Sequence, residues 1–138
     1  MNADFLDAHD RHWQDAELLV GQQRYANADH LYGMSAECGL KRLMMCFGMP
    51  VKTDGSPSAP KDRNHADKTW DRFESYRSGH VAGAAYAIGM DNPFADWKVD
   101  QRYAHRSEFD RRRVEAHRAG TENVRNLIAQ ARQQGSII

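Results

Sequence analysis

Apolar positions recur at helical spacing through most of the chain, and no stretch alternates with the period of a strand. From Asp4 to Val20, residues Phe5, Ala8, His12, Ala16, Leu19 and Val20 form one stripe, with Asn2 or Asp4 as the cap and Gly21 as the stop. From Tyr25 to Phe47 the pattern is apolar on two sides. Leu31, Met34, Cys38 and Met45 make one stripe, and Tyr32, Ala36, Leu40, Leu43 and Phe47 make the other. A helix greasy on two sides belongs at the centre of a bundle. Gly33 and Gly39 each cost about 1 kcal/mol against alanine in a helix interior, so they point to close backbone approach by a neighbour.

The next stretch, GMPVKTDGSPSAP, holds three prolines and two glycines and predicts a loop over about 48–62, expected to be mobile. A third helix is predicted from Asn64 to Arg77, capped by Asp62, with His65, Thr69, Trp70, Phe73 and Tyr76 on one side. His80 to Met90 is small-residue rich and predicts a short, tightly packing helix. Residues 91–107 look irregular. Ser107 to Asp110 resembles an N-cap with acids in the first turn, and a last helix then runs to about Gln134. Its core stripe is Phe109, Ala116, Gly120, Val124, Leu127, Ile128 and Ala131, and Gly135 ends it. The fold class expected is all-α, an antiparallel bundle of four or five helices formed by residues 1–138 as a single domain.

Charge narrows the function. The 138 residues carry 19 basic and 19 acidic side chains, which argues against nonspecific coating of nucleic acid. Seven histidines add positive charge only below about pH 6. The sequence starts without a basic-then-apolar leader and has no long apolar run, so a cytoplasmic protein that does not cross a membrane is expected. Cys38 and Cys46, about 12 Å apart along a helix, are too distant for a disulfide and read as thiols.

Glu37 and Lys41 sit four apart inside the apolar second helix, in the favourable order for a helical ion pair. Either they form a surface pair or they lie at an interhelical or subunit seam where a partner matches the charge. In this stretch the sequence resembles HEPN domains, small helical-bundle proteins common in prokaryotes. The likeness rests on Arg24, Ala26, Ala28, Gly33, Ala36, Glu37, Cys38, Leu40 and Lys41. Further on it rests on His65 leading the third helix and on Trp97, Arg102 and Tyr103 before the last one. The resemblance implies a bundle that is usually a homodimer and often acts on RNA, in some cases as a toxin neutralised by a small nucleotidyltransferase. Many members are metal-independent ribonucleases with an arginine and a histidine separated by four to six residues. In that chemistry arginine holds the scissile phosphate and histidine moves the proton.

Here such spacings join Arg112 or Arg111 to His117 and Arg24 to His30, about as often as chance supplies with 14 arginines and seven histidines. On a continuous helix Arg112 and His117 lie about 140° apart, whereas Arg113 and His117 share a face. The candidate catalytic residues are Arg112 or Arg102 for phosphate and His117 or His105 for the proton. A second candidate is the irregular run Trp97 to Arg106, where Trp97, Tyr103 and Arg106 suit stacking on unpaired bases and pairing with phosphate. The alternative is an anchored loop with internal salt links. Glu37, Lys41 and His65 complete the ligand-binding candidates.

No metal or other cofactor is expected. Glu-x-x-His on two helices and His-Glu-x-x-His are both missing, although His9 and His12 with His30 or His65 can be imagined as a three-histidine site. The preferred reading is a homodimeric module associated with RNA or nucleotides. The alternatives are a metal-independent endoribonuclease and a noncatalytic subunit that docks a separate enzyme.

Overall fold

The structure, a computed structural model, describes residues 1–89 and 91–138. Four α-helices carry the fold: α1 (Phe5–Gly21), α2 (Tyr25–Cys46), α3 (Ala66–Ser78) and α4 (Arg111–Gln133). Four 3-10 turns, Pro60–Asp62, Val81–Tyr86, Val99–Tyr103 and Arg106–Glu108, punctuate the connections. The fold is all-α, and no strand occurs among the described residues. No helix among them is long and apolar enough to cross a membrane.

Local chemistry sets the helix ends. The Asp4 carboxylate accepts from the Asp7 amide at 3.0 Å and starts α1. The Asp110 carboxylate does the same for α4, taking the Arg113 amide at 2.8 Å. Gly135, at φ +77°, lets the chain turn away after α4. Helix α2 differs. No side chain caps its N-terminus.

As its two-sided pattern requires, α2 is central and packs against α1, α3 and α4. Tyr32, Ala36, Leu40, Leu43 and Met44 are all fully buried along it. Both of its interior glycines meet neighbours. A Cβ on Gly33 would lie 2.1 Å from the Trp97 indole, and one on Gly39 would lie 2.6 Å from His9 and 2.7 Å from Val124. The direction of packing is mixed. α1 runs antiparallel to α2, since His9 meets Ser35 while Glu17 meets Tyr32. Contacts from α2 to α4 instead advance in the same sense, from Asp29–His117 to Tyr32–Thr121. Those from α2 to α3 do likewise, from Glu37–His65 to Phe47–Phe73. The long connections 47–65 and 79–110 carry the chain back to permit this.

Within the 48–62 loop Val51 bridges to Pro57, the Asp54 carbonyl accepts the Ala3 amide at 2.7 Å, and Arg63 donates to the Pro57 and Ser58 carbonyls. Two local expectations change. Asp62 is not the cap of α3, a position that falls to His65. It is instead a buried carboxylate held by Arg72 at 2.7 Å and Tyr76 at 2.6 Å. The expected small-residue helix after His80 is only a 3-10 turn, with just Gly83 and Tyr86 buried among 81–89. The alanines there face water, so nothing drives a packed helix; Met90 lies outside the described residues.

Candidate phosphate-binding groove and its support

Between α3 and α4 the chain forms a strap, residues 94–106, laid across the N-terminal half of α2. Phe94 and Trp97 are fully buried and anchor it. Trp97 slides into the notch left by Gly33, and its Nε1–H donates to the Asp29 carbonyl at 3.1 Å. Gln101 Nε2 donates to Asp29 Oδ2 at 2.6 Å. Arg113, from the first turn of α4, reaches the Asp96 carboxylate at 3.1 Å, the Asp96 carbonyl at 2.7 Å and Gln101 Oε1 at 3.2 Å.

His117 closes this network from below. Its ring is 1% exposed and stacks on Phe94 at 5.4 Å. Nδ1 lies 2.6 Å from Asp29 Oδ1, and Nε2 lies 2.8 Å from Asp96 Oδ1. Two ionised carboxylates at those distances each need a donor, an arrangement that favours the doubly protonated ring. Burial by itself would push the His117 pKa down. The bonds and charges of Asp29 and Asp96 outweigh that and hold it above its ordinary value of 6.5.

This placement corrects the expectation that His117 shuttles protons for a substrate. It is buried, with both nitrogens occupied. Arg112 points into solvent, a different face from His117, as the 140° offset predicts; Arg113 is the arginine that shares the histidine's environment. The expected core position Ala116 is exposed, while its neighbour His117 is buried.

On its outer side the strap faces the uncapped start of α2 across an open groove of about 640 Å³. Arg24, Tyr25 and Asn27 line one wall, and Arg102, Tyr103, His105 and Arg106 line the other, with Phe109 at the base. Three arginines and a histidine gather there, and the lining holds no carboxylate. Among the described residues Arg24, Arg102 and Arg106 have no ion-pair partner, though the total charges of the chain balance. The amides of Tyr25, Ala26 and Asn27 belong to the first turn of α2 and find no side-chain acceptor. Tyr103 is 76% exposed and lies under the Arg102 guanidinium at 4.9 Å. His105 Nδ1 accepts from the Ser107 amide at 3.2 Å, so its neutral ring presents Nε2–H as a donor.

Of the site residues expected from the sequence, the catalytic candidates Arg102 and His105 and the ligand-binding candidates Tyr103 and Arg106 therefore come together. Trp97 does not join them, because it is buried as the strap's anchor. Glu37, Lys41 and His65 form a separate cluster. Glu37 and Lys41 are each 6% exposed, with the Lys41 Nζ 3.2 Å and the His65 Nδ1 3.0 Å from the two Glu37 oxygens. The pair lies at a seam between helices and not in solvent: Glu37 meets His65 at the head of α3, and α1 covers it, with Phe5 below the Lys41 ammonium at 5.8 Å. His30 stacks on Trp97 at 5.6 Å between the two regions. Burial, followed by the Arg102 charge, lowers its pKa and keeps it neutral.

His9 turns inward to the Ser35 carbonyl at 2.7 Å, away from the imagined three-histidine arrangement, and among the described residues no group of three His, Cys, Asp or Glu side chains is placed to hold a metal ion.

The candidate site residues read from pattern do not include Arg24, Tyr25, Asp29, Asp96, Gln101 or Arg113, although Arg24 stands at the spacing from His30 noted above. Two of them left a trace, because Asp29 is a carboxylate within an apolar helix and Arg113 shares a helix face with His117. No protein-family model matches this sequence, and no curated protein or solved structure matches it significantly, so the functional reading rests on the geometry just described.

Proposed function

We propose that this chain is a noncatalytic binding module for single-stranded RNA, taking the phosphate backbone into the groove between the start of α2 and the strap. One observation carries the reading: three arginines without ion-pair partners and one imidazole donor line a groove that holds no carboxylate. Phosphate binding needs that local excess, whatever the net charge of the chain. The free first-turn amides of α2 add donors and the positive end of the helix dipole. Exposed Tyr103 offers a face on which an unpaired base can stack.

Binding is favoured over cleavage by proton chemistry. A general base must present a lone pair. His105 presents a donor, and the remaining polar lining is arginine, tyrosine, glutamine and asparagine. The resemblance to HEPN domains adds a homodimer and a separate enzyme partner to the proposal. Light scattering during size exclusion tests the dimer, with about twice 15.8 kDa expected.

Fluorescence anisotropy with a labelled oligouridylate tests the groove itself. Binding should weaken steeply with salt. The triple variant Arg24→Ala/Arg102→Ala/Arg106→Ala should lose at least tenfold in affinity, and its salt slope should fall by about 0.7 for each phosphate contact removed. Equal binding by the triple variant, or no binding by the parent protein at low salt, would refute the proposal.

A further inference from the structure

The strap has little secondary structure of its own. Its position rests on side chains, and these converge on one buried histidine. The charged groups around His117 are Asp29 from α2, Asp96 from the strap and Arg113 one turn earlier on α4. With an imidazolium the four charges balance. With a neutral imidazole the cluster gains a net negative charge, and one ring nitrogen turns a lone pair towards a carboxylate oxygen less than 3 Å away.

Which bond breaks follows from solvation. Asp29 is fully buried and cannot exchange His117 for water, so it keeps the remaining proton. Asp96 has a side chain 63% exposed, and water can replace its histidine partner. Loss of one proton therefore frees the strap end of the clasp.

Resting on the binding reading above, the geometry points to His117 as a positioning residue: doubly protonated, it clasps Asp96 and fixes the strap that presents Arg102, His105 and Arg106, and loss of its second proton loosens that strap. The sign is definite. A histidine held above its ordinary value of 6.5 contributes fully below about pH 6.5, and the contribution disappears as pH rises through its raised value. The groove should be firm at mildly acidic pH and looser in alkaline solution.

Two measurements test the clasp without any ligand. In ¹⁵N NMR spectra of the full chain, the His117 ring should show two N–H groups at pH 6 and titrate above 6.5. Amide hydrogen exchange, corrected for its intrinsic pH dependence, should show protection of residues 97–106 falling by roughly three- to tenfold across that same titration, the scale of one partly solvated charge-assisted bond. Asp96→Asn removes one negative charge from beside the ring, so both midpoints should move to lower pH together. A singly protonated ring at pH 6, or strap exchange indifferent to the His117 midpoint, would overturn the inference. Affinity for oligouridylate should follow the same curve. If no oligouridylate binds at any pH, the binding reading fails, while titration and exchange still decide the clasp.

Discussion

Replacing Gly33 by alanine is the sharpest mechanical test of how α2 positions the strap. The added methyl carbon would stand 2.1 Å from Cε2 and Nε1 of Trp97, against an ordinary contact of 3.4 Å or more. The indole, or the helix beneath it, must retreat by about 1.3 Å to relieve the overlap. Trp97 is fully buried, so it cannot swing out into solvent without losing its packing. Overpacking of this kind typically costs about 1–3 kcal/mol. Displacing the indole also strains its bond to the Asp29 carbonyl, worth about 1 kcal/mol. Alanine's better helix propensity returns about 1 kcal/mol. A net loss of about 1–3 kcal/mol follows, a large share of the roughly 5–15 kcal/mol by which such domains are stable.

Urea unfolding followed by circular dichroism reads the total, and tryptophan emission reports the indole's environment. Trimming the indole in Gly33→Ala/Trp97→Leu should make the alanine less costly than it is in the parent, a non-additivity expected only of residues in contact. If Gly33→Ala alone costs less than about 0.5 kcal/mol, or if the two substitutions add independently, the notch-and-anchor account is wrong.

Three further outcomes are expected. Asp29→Ala should destabilise by about 3 kcal/mol or more in urea unfolding, since it leaves His117, Gln101 and Arg113 facing a vacancy; a loss near zero would show that the network contributes nothing. Cys38, whose thiol burial pushes up to about 12, should resist iodoacetamide at pH 8 while the partly exposed Cys46 is alkylated. Peptide mass spectrometry checks this, and equal labelling of both would contradict the packing. The bond from Arg118, aided by Tyr32, holds the Glu17 carboxyl below its ordinary 4.5, so its stabilising effect is present above that pH and lost as pH falls through the depressed value. Glu17→Gln should therefore flatten the acid side of the urea-midpoint curve, and parallel curves for parent and variant would refute the assignment.

The parts of this fold that could be read from sequence are those fixed by local periodicity. The α2 stripes, the Asp4 cap and the Gly135 stop each depend on residues within a few turns of one another, and Gly33 and Gly39 stand out locally as glycines inside an apolar helix. Helix direction depends on how the connections return, which the spacing of apolar residues does not encode. The Val81–Tyr86 turn departs from the expected helix because alanine favours a helix only weakly without a partner to bury it. For the site, Trp97 to Arg106 was visible as a cluster, but its division into a buried anchor and an exposed rim was not. Trp97 goes inside because Gly33, 64 positions earlier, leaves room for its indole. Arg24 and Tyr25 were hidden for the same reason: only the folded strap makes them the opposite wall.

Gln101 apart, the residues that hold the groove and those that line it are separate sets, and this gives the binding reading its leverage. Asp29, Trp97 and His117 are buried and bonded on the inner side of the strap, so changes there alter folding and groove shape together. Arg24, Arg102 and Arg106 lie on the outer side, exposed and without carboxylate partners, so removing them costs the fold almost nothing. Unpaired cations kept together also repel one another, a modest but persistent cost that a purely structural strap would have no reason to retain. An anion seated among them removes that cost. A bound polyphosphate chain should therefore raise the unfolding temperature of the parent protein and leave that of the Arg24→Ala/Arg102→Ala/Arg106→Ala variant unchanged.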